Sequence, residues 1–373
     1  MENLYKGFIS EDIPLKGIRW RDASENCFHI YGLHMESVYQ AGKAVYERLP
    51  QDITSSFVSK EMPVLARHTA GARIRFQSDS EYVAIRVLWE KYYELSHMPG
   101  NSQCGFDLYL TEDGKSRYYK SFVPPRYVWR REKGYEAVIH FGTRKMRDVT
   151  IYFPIANQVD DLKIGMEETS RVYESTGYRL EKPVVYYGSS ITHGACASRP
   201  GNTYEGFVSR ALDLDQRNLG FSDSARGDRV MAEYIASLDM SAFVFDYDHN
   251  APNVEWLLHT HYPFYEVVRE AHPNIPIICM SKPKPRFDDI PEPGEQEYID
   301  IERKNIIFET VKKAREAGDN QIYFVDGETL YGKECSGECT VDGSHPNDLG
   351  FYRMAQALIP VLKEALKIEN MKV

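Results

Sequence analysis

Hydrophobic and polar residues alternate along the first half of this chain. Every second position is apolar in five segments, at residues 74–76, 83–89, 106–110, 135–141 and 149–153. A period of two is typical of β-strands with one buried face, and the Glu-Asp-Gly run at 112–114 favours a hairpin turn. Short strands separated by turns predict an antiparallel, jelly-roll-like β-sandwich, which we assign to residues 1–175.

The second half of the chain has a different pattern. Short, continuous apolar runs are typical of buried parallel strands, and they occur at residues 184–187, 218–221, 242–247, 275–280 and 322–325. Helices are predicted between and after them, at residues 254–271, 298–317 and 346–366. Because strand and helix alternate, we predict a three-layer α/β/α domain with a parallel sheet over residues 176–373.

Composition and charge limit the partners. The 373 residues are 42% hydrophobic and carry a formal net charge of −10 at pH 7, without a cluster of Lys and Arg. We therefore expect no nucleic acid partner, because nucleic acid binding depends on neutralising phosphates. The first residues lack the basic and apolar regions of a signal peptide, and no stretch reaches the roughly 20 apolar residues needed to cross a bilayer. We expect a cytoplasmic protein that does not bind membranes, and the sequence leaves a homo-oligomer open.

The six cysteines are scattered along the chain, at positions 27, 104, 196, 279, 335 and 339. In a chain of this size without an export signal, free thiols are the expected state. Cys335 and Cys339 could supply two zinc ligands, but no second Cys or His pair lies at the spacing that zinc sites use. We therefore predict no metal site.

Two segments of the second half carry residues suited to acyl transfer. The first predicted parallel strand ends in Gly188-Ser189-Ser190, and Asp342 and His345 precede the last predicted helix. The carboxyl ends of parallel strands meet at one edge of the sheet, where open α/β sheets bind ligands. A serine hydroxyl needs a nearby base and a group that orients this base. We predict Ser190 as the nucleophile, His345 as the base and Asp342 as the orienting carboxylate, although each motif alone could merely cap a helix.

Acyl transfer also requires hydrogen-bond donors for the developing oxyanion. Candidates are the backbone N–H of Ser190, a backbone N–H in the loop at 220–224, and the side-chain amide of Asn250. The loop and Asn250 follow the second and third strands of the domain, so we expect these donors at the same sheet edge. No Gly-x-Ser-x-Gly motif occurs in the chain, which argues against the α/β-hydrolase fold.

Four blocks in the second half resemble those of the SGNH (GDSL-like) hydrolases, a family named for a Ser, a Gly, an Asn and a His in separate blocks. The matching segments are GSSIT at 188–192, NLGFS at 218–222, YDHN at 247–250 and DGSHPND at 342–348. In the first half, GFDLY at 105–109 is similar to the signature of a sandwich domain that often precedes such hydrolases. The resemblance implies a three-layer α/β/α fold and the hydrolysis of acyl esters without a cofactor.

The sequence departs from the family pattern at two positions. Ser189 stands where Asp is usual, and Asp223 stands where the family has the glycine whose N–H binds the oxyanion. Any residue except proline keeps that N–H, but a carboxylate beside an oxyanion would oppose it unless it points away or pairs with Arg226. By this resemblance, Gly220, Asp223 and Asn250 are the candidate oxyanion and substrate-binding residues.

The substrate class is inferred from the surroundings of Ser190. Several relatives with a sandwich domain resemble carbohydrate O-acetyl esterases, and a small acetyl group on a sugar needs a shallow, polar pocket. Arg199 and the Pro-rich loop at 282–294 suit such a pocket, and no large apolar lid is evident. We therefore expect a carboxylic ester hydrolase that removes acetyl groups from plant-derived oligosaccharides of the mannan or xylan type. The alternatives are a short-chain acyl esterase or thioesterase acting on another metabolite, and a catalytically silent carbohydrate-binding protein, which Asp223 would favour.

Overall fold

The computed structural model describes residues 17–34, 46–57, 59–91, 93–125, 133–284 and 295–368. Its chain forms two compact units. The first unit comprises Met1–Pro50, Arg67–Gly177 and Arg199–Gly201, and the second comprises Gln51–Ala66, Tyr178–Ser198 and Asn202–Val373. The main change of unit thus falls between residues 177 and 178, close to the boundary expected from the sequence.

The strands of the described residues are, in chain order, β1 (Ile18–Asp22), β2 (His29–Tyr31), β3 (Arg73–Ser78), β4 (Tyr82–Leu88), β5 (Phe106–Glu112), β6 (Lys115–Phe122), β7 (Gly134–His140), β8 (Arg147–Tyr152), β9 (Asp161–Glu167), β10 (Val172–Tyr173), β11 (Val184–Gly188), β12 (Gln216–Gly220), β13 (Ala242–Asp246), β14 (Ile277–Met280) and β15 (Ile322–Val325). The α-helices are α1 (Gln51–Thr54), α2 (Met62–Leu65), α3 (Gly100–Cys104), α4 (Ser190–His193), α5 (Tyr204–Leu212), α6 (Arg229–Ala236), α7 (Val254–Ala271), α8 (Glu295–Glu316) and α9 (Asp348–Ala365). Strands β1 to β10 and helix α3 lie in the first unit, and the other elements lie in the second.

Two antiparallel sheets build the first unit. One has the strand order β1-β9-β4-β7, and the other has the order β10-β3-β8-β5-β6 with β2 also paired to β3. The alternating apolar residues of both sheets, such as Ile74, Val83 and Leu108, are buried in one shared core. The β5–β6 hairpin turns at Asp113 and Gly114, whose φ angles of 52° and 72° are typical of a tight hairpin. The predicted antiparallel β-sandwich is therefore confirmed.

A five-stranded parallel sheet forms the centre of the second unit, with the order β12-β11-β13-β14-β15. Every residue of β11 and β13 is buried, which explains why these strands appear as continuous apolar runs. Helix α5 packs against α9, while α7 packs against both α6 and α8. Helices that connect parallel strands by right-handed crossovers cover the two faces of the sheet. The predicted three-layer α/β/α domain is confirmed.

An asparagine determines where the last helix begins. The Asn347 Oδ1 accepts hydrogen bonds from the N–H groups of Leu349 and Gly350, at 3.0 and 3.2 Å. Such a cap stabilises a helix by about 1 kcal/mol. Helix α9 therefore begins after Asn347 and not at the predicted Pro346, which instead forms an isolated bridge with Thr340.

The segment Gln51–Ala66 belongs to the second unit, although it lies within the residues that we assigned to the sandwich. It contains α1 and α2, and α1 packs against α6. The hydroxyl oxygen of Ser59 also lies 2.7 Å from that of Ser224. The assignment of all residues before 176 to the sandwich does not hold here, because this segment is helical and contributes no strand to either sheet.

All six cysteines are free thiols. Within the described ranges, no group of three or more His, Cys, Asp or Glu side chains could hold a metal ion. The helices in the same ranges include none that is long and apolar enough to cross a membrane.

Candidate active site

Strand β11 carries the Gly188-Ser189-Ser190 turn to the carboxyl edge of the parallel sheet. Gly188 pairs in register with Gly220 of β12 and with Asp246 of β13. A Cβ atom on Gly188 would lie 1.6 Å from the Asp246 carboxyl group, so only glycine fits at this position. The Ser189 hydroxyl accepts a hydrogen bond of 3.1 Å from a backbone N–H of α4 and thereby caps this helix. Ser190 is the first residue of α4 and follows directly from this cap.

The three residues predicted as nucleophile, base and orienting carboxylate form one hydrogen-bonded chain. Ser190 Oγ lies 2.9 Å from His345 Nε2, and His345 Nδ1 lies 2.7 Å from Asp342 Oδ2. When the imidazole keeps its proton on Nδ1 and donates a hydrogen bond to the carboxylate, Nε2 is left to accept the serine proton. Ser190 is half-buried and 25% of the His345 side chain is exposed, so the pair is open to solvent.

The loop before α9 holds Asp342 and His345 through its own hydrogen bonds. Val341 N–H donates to the His345 carbonyl at 2.9 Å, and Gly343 N–H donates to Thr340 Oγ1 at 3.2 Å. Gly343 has a φ of 86°, in the left-handed region that glycine adopts without strain. This tight turn brings the carboxylate and the imidazole together.

Hydrogen bonds keep the Asp342 carboxylate ionised. Partial burial alone would raise the pKa of Asp342. The N–H groups of His345 and Ser344, at 2.8 and 3.0 Å from Oδ1, and the His345 imidazole outweigh burial and lower the pKa of Asp342 to about 2. Asp342 is therefore charged at neutral pH and can orient His345.

Gly220 packs against the helix that carries the candidate nucleophile. A Cβ atom on Gly220 would lie 2.1 Å from the backbone nitrogen of His193 in α4. The Gly220 N–H donates to Asn218 Oδ1 at 2.9 Å, so it is not available to an oxyanion. We therefore assign Gly220 a packing role in place of the predicted contact with the oxyanion.

Asp223 has a backbone conformation that suits glycine, in agreement with its place in the family pattern. Its φ is 59°, in the left-handed region. Its side chain is exposed, and Arg226 Nε donates at 3.1 Å to the Asp223 carbonyl rather than to its carboxylate. The Asp223 N–H has no partner among the residues that the structure describes. This N–H therefore stays available as a donor.

Asn250 lies on a single 3-10 turn, Asp248–Asn250, which is separated from the end of β13 by one residue. Its Nδ2 donates to the Phe221 carbonyl at 3.1 Å, and the Phe221 N–H donates to the Gly188 carbonyl at 2.9 Å. The Asn250 amide, the loop after β12 and the turn after β11 are thus joined at one edge of the sheet.

A buried carboxyl group that the sequence did not single out lies under the nucleophile turn. Asp246 is 1% exposed and accepts a hydrogen bond from the Thr192 hydroxyl. Burial raises the pKa of Asp246 well above its ordinary value, which favours the uncharged acid. An acidic residue at the end of an apolar strand is the signal that could have identified this group.

A second serine–histidine–aspartate chain lies beside the first. Ser189 Oγ is 2.7 Å from His249 Nε2, and His249 Nδ1 is 2.9 Å from Asp248 Oδ1. The sequence placed these residues in family blocks but gave no role to Ser189 or His249. Two features of the sequence could have indicated this second chain: Ser189 departs from the family pattern, and a histidine directly precedes Asn250.

Arg199 belongs to the first unit and not to the sheet domain. Its Nη1 donates to Asp107 Oδ2 at 2.9 Å and to the Tyr109 hydroxyl at 2.7 Å, and its guanidinium lies 3.7 Å from the centre of the Tyr118 ring. Because residues of the sandwich occupy its guanidinium, Arg199 is removed from the predicted sugar-binding residues. Residues 285–294 of the Pro-rich loop lie outside the described residues.

Family comparisons match both halves of the chain. The model of the GDSL-like lipase/acylhydrolase family matches residues 181–363. The model of the N-terminus of SGNH-hydro-type esterases, GxDLY, matches residues 18–172. A search of curated proteins found no match.

Three solved structures are similar over nearly the whole chain. A protein described as a GDSL-like lipase from Bacteroides ovatus is 26% identical, with a TM-score of 0.81, and the match covers 94% of this chain and 99% of that one. The salicylyl-acyltransferase SsfX3 from a tetracycline biosynthetic pathway is 19% identical, with a TM-score of 0.75 and coverage of 95% and 99%. The acetyl xylan esterase Est2A from the rumen bacterium Butyrivibrio proteoclasticus is 12% identical, with a TM-score of 0.55 and coverage of 94% and 100%. At these identities, the last two similarities concern the fold alone.

The fold and the site together define a carboxylic ester hydrolase. The sandwich ahead of its hydrolase domain carries the GFDLY signature at 105–109. The chain carries a GDSL-like lipase/acylhydrolase domain at residues 181–363, and the N-terminal domain of SGNH-type esterases precedes it at residues 18–172. The predicted family and enzyme class are confirmed.

Proposed function

We propose that the protein is a carbohydrate O-acetyl esterase in which Ser190 forms an acetyl-enzyme. The observation that carries the proposal is the chain from Ser190 Oγ through His345 to Asp342, with distances of 2.9 and 2.7 Å. The nucleophile lies within hydrogen-bond reach of a base, and a carboxylate that is charged at neutral pH orients this base. These are the requirements of nucleophilic acyl transfer.

In the first half-reaction, Ser190 Oγ attacks the acetyl carbonyl carbon while His345 Nε2 takes the serine proton. The Asp342 carboxylate stabilises the imidazolium that forms. The oxyanion accepts hydrogen bonds from the Ser190 N–H, the Asp223 N–H and the Asn250 amide. The tetrahedral intermediate then collapses: the bond between the acetyl carbon and the sugar oxygen breaks, and His345 gives its proton to this oxygen, so that the sugar leaves with a free hydroxyl.

In the second half-reaction, water attacks the acetyl-enzyme with His345 as its base. Collapse of the second intermediate releases acetate and returns a proton to Ser190 Oγ. The serine supplies the nucleophile, and N–H donors supply the electrostatic stabilisation. We therefore propose that neither half-reaction uses a cofactor.

Acetylated oligosaccharides of the mannan or xylan type are the substrates that we propose. One structural relative is an acetyl xylan esterase, and its fold is shared over 94% of this chain. Such esters carry a two-carbon acyl group, which needs only a shallow site. The partial exposure of the His345 and Asp342 side chains, 25% and 41%, supports an open site rather than a closed acyl tunnel.

A short-chain acyl esterase or thioesterase acting on another metabolite is the second candidate. The likeness to the salicylyl-acyltransferase SsfX3 supports an acyl group other than acetyl, because the name of that enzyme specifies an aromatic acyl group. The hypothesis of a catalytically silent carbohydrate-binding protein depended mainly on Asp223, and the conformation of this residue does not support it. The Asp223 side chain is exposed, and its φ of 59° suits the glycine of active relatives.

Hydrolysis of p-nitrophenyl acetate tests the mechanism, with Ser190→Ala as the variant and Ser237→Ala as the matched control. Ser237 is an exposed serine after α6 that donates to the Tyr234 carbonyl. We expect Ser190→Ala to lower kcat by about four orders of magnitude without a change in folding, and Ser237→Ala to leave kcat unchanged. Near-normal turnover by Ser190→Ala would refute the mechanism. A wild type without esterase activity would support the silent binder.

Acetate release from acetylated manno- and xylo-oligosaccharides then tests the substrate class. Acetyl thioesters and p-nitrophenyl esters with longer acyl chains serve as the comparison. We expect the highest kcat/KM for the oligosaccharides. A higher kcat/KM for thioesters or for longer acyl chains would favour the second candidate.

A further inference from the structure

Consecutive serines of the second unit each bind a histidine–aspartate pair. Ser190 binds the pair described above, and Ser189 Oγ lies 2.7 Å from His249 Nε2, whose Nδ1 lies 2.9 Å from Asp248 Oδ1. The two serines differ in exposure, since Ser190 is half-buried and Ser189 is 0% exposed. The second chain therefore cannot present a nucleophile to a substrate, and its role must be a different one.

The Ser189 hydroxyl is fixed on two sides. It accepts a hydrogen bond from the Ile191 N–H at 3.1 Å, and it forms a second hydrogen bond of 2.7 Å with His249 Nε2. Ser189 directly precedes the nucleophile, and the peptide group between the two serines carries the Ser190 N–H. Fixing Ser189 therefore fixes the direction of an N–H that binds the oxyanion in the proposed mechanism.

The far end of this second chain is anchored in buried backbone. Asp248 is 1% exposed, and its Oδ2 accepts a hydrogen bond from the Lys282 N–H at 3.0 Å. Burial alone would raise the pKa of Asp248, but its hydrogen bonds from the imidazole and from this N–H lower it. Arg303 donates to the backbone carbonyls of Asp248 and Ala251. The turn Asp248–Asn250 is therefore held from two directions.

We propose that His249 is a positioning residue that holds two oxyanion donors in place. It acts on the Ser190 N–H through Ser189, and on the Asn250 amide through the turn that both residues share. The inference rests on the proposed function, which assigns these donors to an oxyanion. A misplacement of about 1 Å at an active site can reduce the rate about a hundredfold. Such a loss affects the transition state more than the bound ester.

His249→Ala and His249→Gln test the proposal, with His261→Gln as the matched control. His261 is also buried and bound to a hydroxyl, Thr310 Oγ1 at 2.9 Å, but its partner lies in α8. We expect His249→Ala to lower kcat for p-nitrophenyl acetate about ten- to a hundredfold with little change in KM. His249→Gln should keep most of the activity, because its amide can still bind Ser189. His261→Gln should leave kcat unchanged.

A transition-state analogue separates positioning from a general loss of structure. A small alkylboronic acid bonds to a serine hydroxyl and places a boronate oxygen where the oxyanion forms. We expect its Ki to rise in His249→Ala by the same factor by which kcat falls. In a double-mutant cycle, Ser189→Ala and His249→Ala should be non-additive in kcat, with the double variant no slower than the slower single variant.

Three outcomes would overturn the proposal while leaving the role of Ser190 intact. In the first, the effects of Ser189→Ala and His249→Ala on kcat are additive. In the second, His249→Ala has the wild-type kcat and the wild-type Ki for the boronic acid. In the third, His249→Gln is as slow as His249→Ala, and its Tm falls in parallel with kcat. A wild type without esterase activity would overturn the proposed function and this inference with it. The two kinds of failure are thus distinguishable.

Discussion

Replacing Asp342 by asparagine should be more harmful than the small change in shape implies. In the wild type, Asp342 Oδ1 accepts from the Ser344 and His345 N–H groups, at 3.0 and 2.8 Å, and Oδ2 accepts from His345 Nδ1 at 2.7 Å. In Asp342→Asn, the two backbone donors require the amide oxygen at the Oδ1 position. The amide NH₂ then faces His345 Nδ1, which must accept a hydrogen bond, so the imidazole proton moves to Nε2.

This tautomer cannot act as the base for Ser190, because its Nε2–H donates to the serine oxygen instead of accepting the serine proton. The same change at a serine triad lowers kcat by about four orders of magnitude. Asp342→Ala imposes no tautomer, since water can accept the Nδ1 proton. We expect its loss to be smaller, about two to three orders of magnitude.

The assay is kcat for p-nitrophenyl acetate at neutral pH, with Tm as the control for folding. The Asp342 side chain is 41% exposed, so the loss of its charge should destabilise the protein by only about 1 kcal/mol. If Asp342→Asn keeps more activity than Asp342→Ala, the tautomer argument is wrong. If both variants turn over like the wild type, Asp342 does not orient His345.

The low pKa of Asp342 also predicts a stability difference between the wild type and Asp342→Asn. The folded-state pKa of about 2 lies below the ordinary value of 3.8, so this difference in stability should be fully present above about pH 4 and be lost as the pH falls through 2. Urea unfolding measures the difference. If it grows on acidification, the low pKa assigned to Asp342 is wrong. Gly220→Ala should lower the free energy of unfolding by about 1–3 kcal/mol, because its Cβ would lie 2.1 Å from the His193 nitrogen. Gly337 has open space around it, so Gly337→Ala should not lower this free energy. Equal Tm values for the two variants would refute the packing role of Gly220. Asp223→Gly should keep or raise kcat. Asp223→Pro should abolish turnover, because proline has no N–H and cannot adopt a φ of 59°. An active proline variant would exclude the N–H of residue 223 as an oxyanion donor.

Much of the fold was predictable, because burial leaves a pattern in the sequence. The continuous apolar runs predicted β11 and β13 to within one residue, since strands covered on both faces have no polar side. Helix α7 was predicted with its observed ends, and the Asn253 side chain caps its first turn. The place of Gln51–Ala66 in the second unit was not predictable, because helices as short as α1 and α2 have no periodic pattern and depend on tertiary contacts.

The candidate triad was predictable for a related reason, since strand ends and turn residues mark where Ser190 and His345 lie. Which N–H groups are free could not be predicted. Asn218 Oδ1 accepts a hydrogen bond from the Gly220 N–H, and no residue pattern in the sequence reveals the direction of this side chain. Spacing alone likewise gives no sign that Ser189 and a histidine 60 residues later share a hydrogen bond.

The departure from the family pattern at Ser189 has a physical reason in its surroundings. Asp246 and Asp248 are both buried near this residue, because Ser189 follows Gly188, which pairs with Asp246, and binds His249, the partner of Asp248. A carboxylate at position 189 would be repelled by the charged Asp248 and would carry a desolvation cost of its own, whereas a neutral hydroxyl can cap α4 and bind His249 without either. We therefore expect Ser189→Asp to lower the free energy of unfolding by about 1–3 kcal/mol, although it restores the residue usual in the family. Ser189→Thr keeps a hydroxyl and serves as the control in thermal unfolding. A Ser189→Asp variant with a Tm at or above that of the wild type would show that charge does not explain this serine.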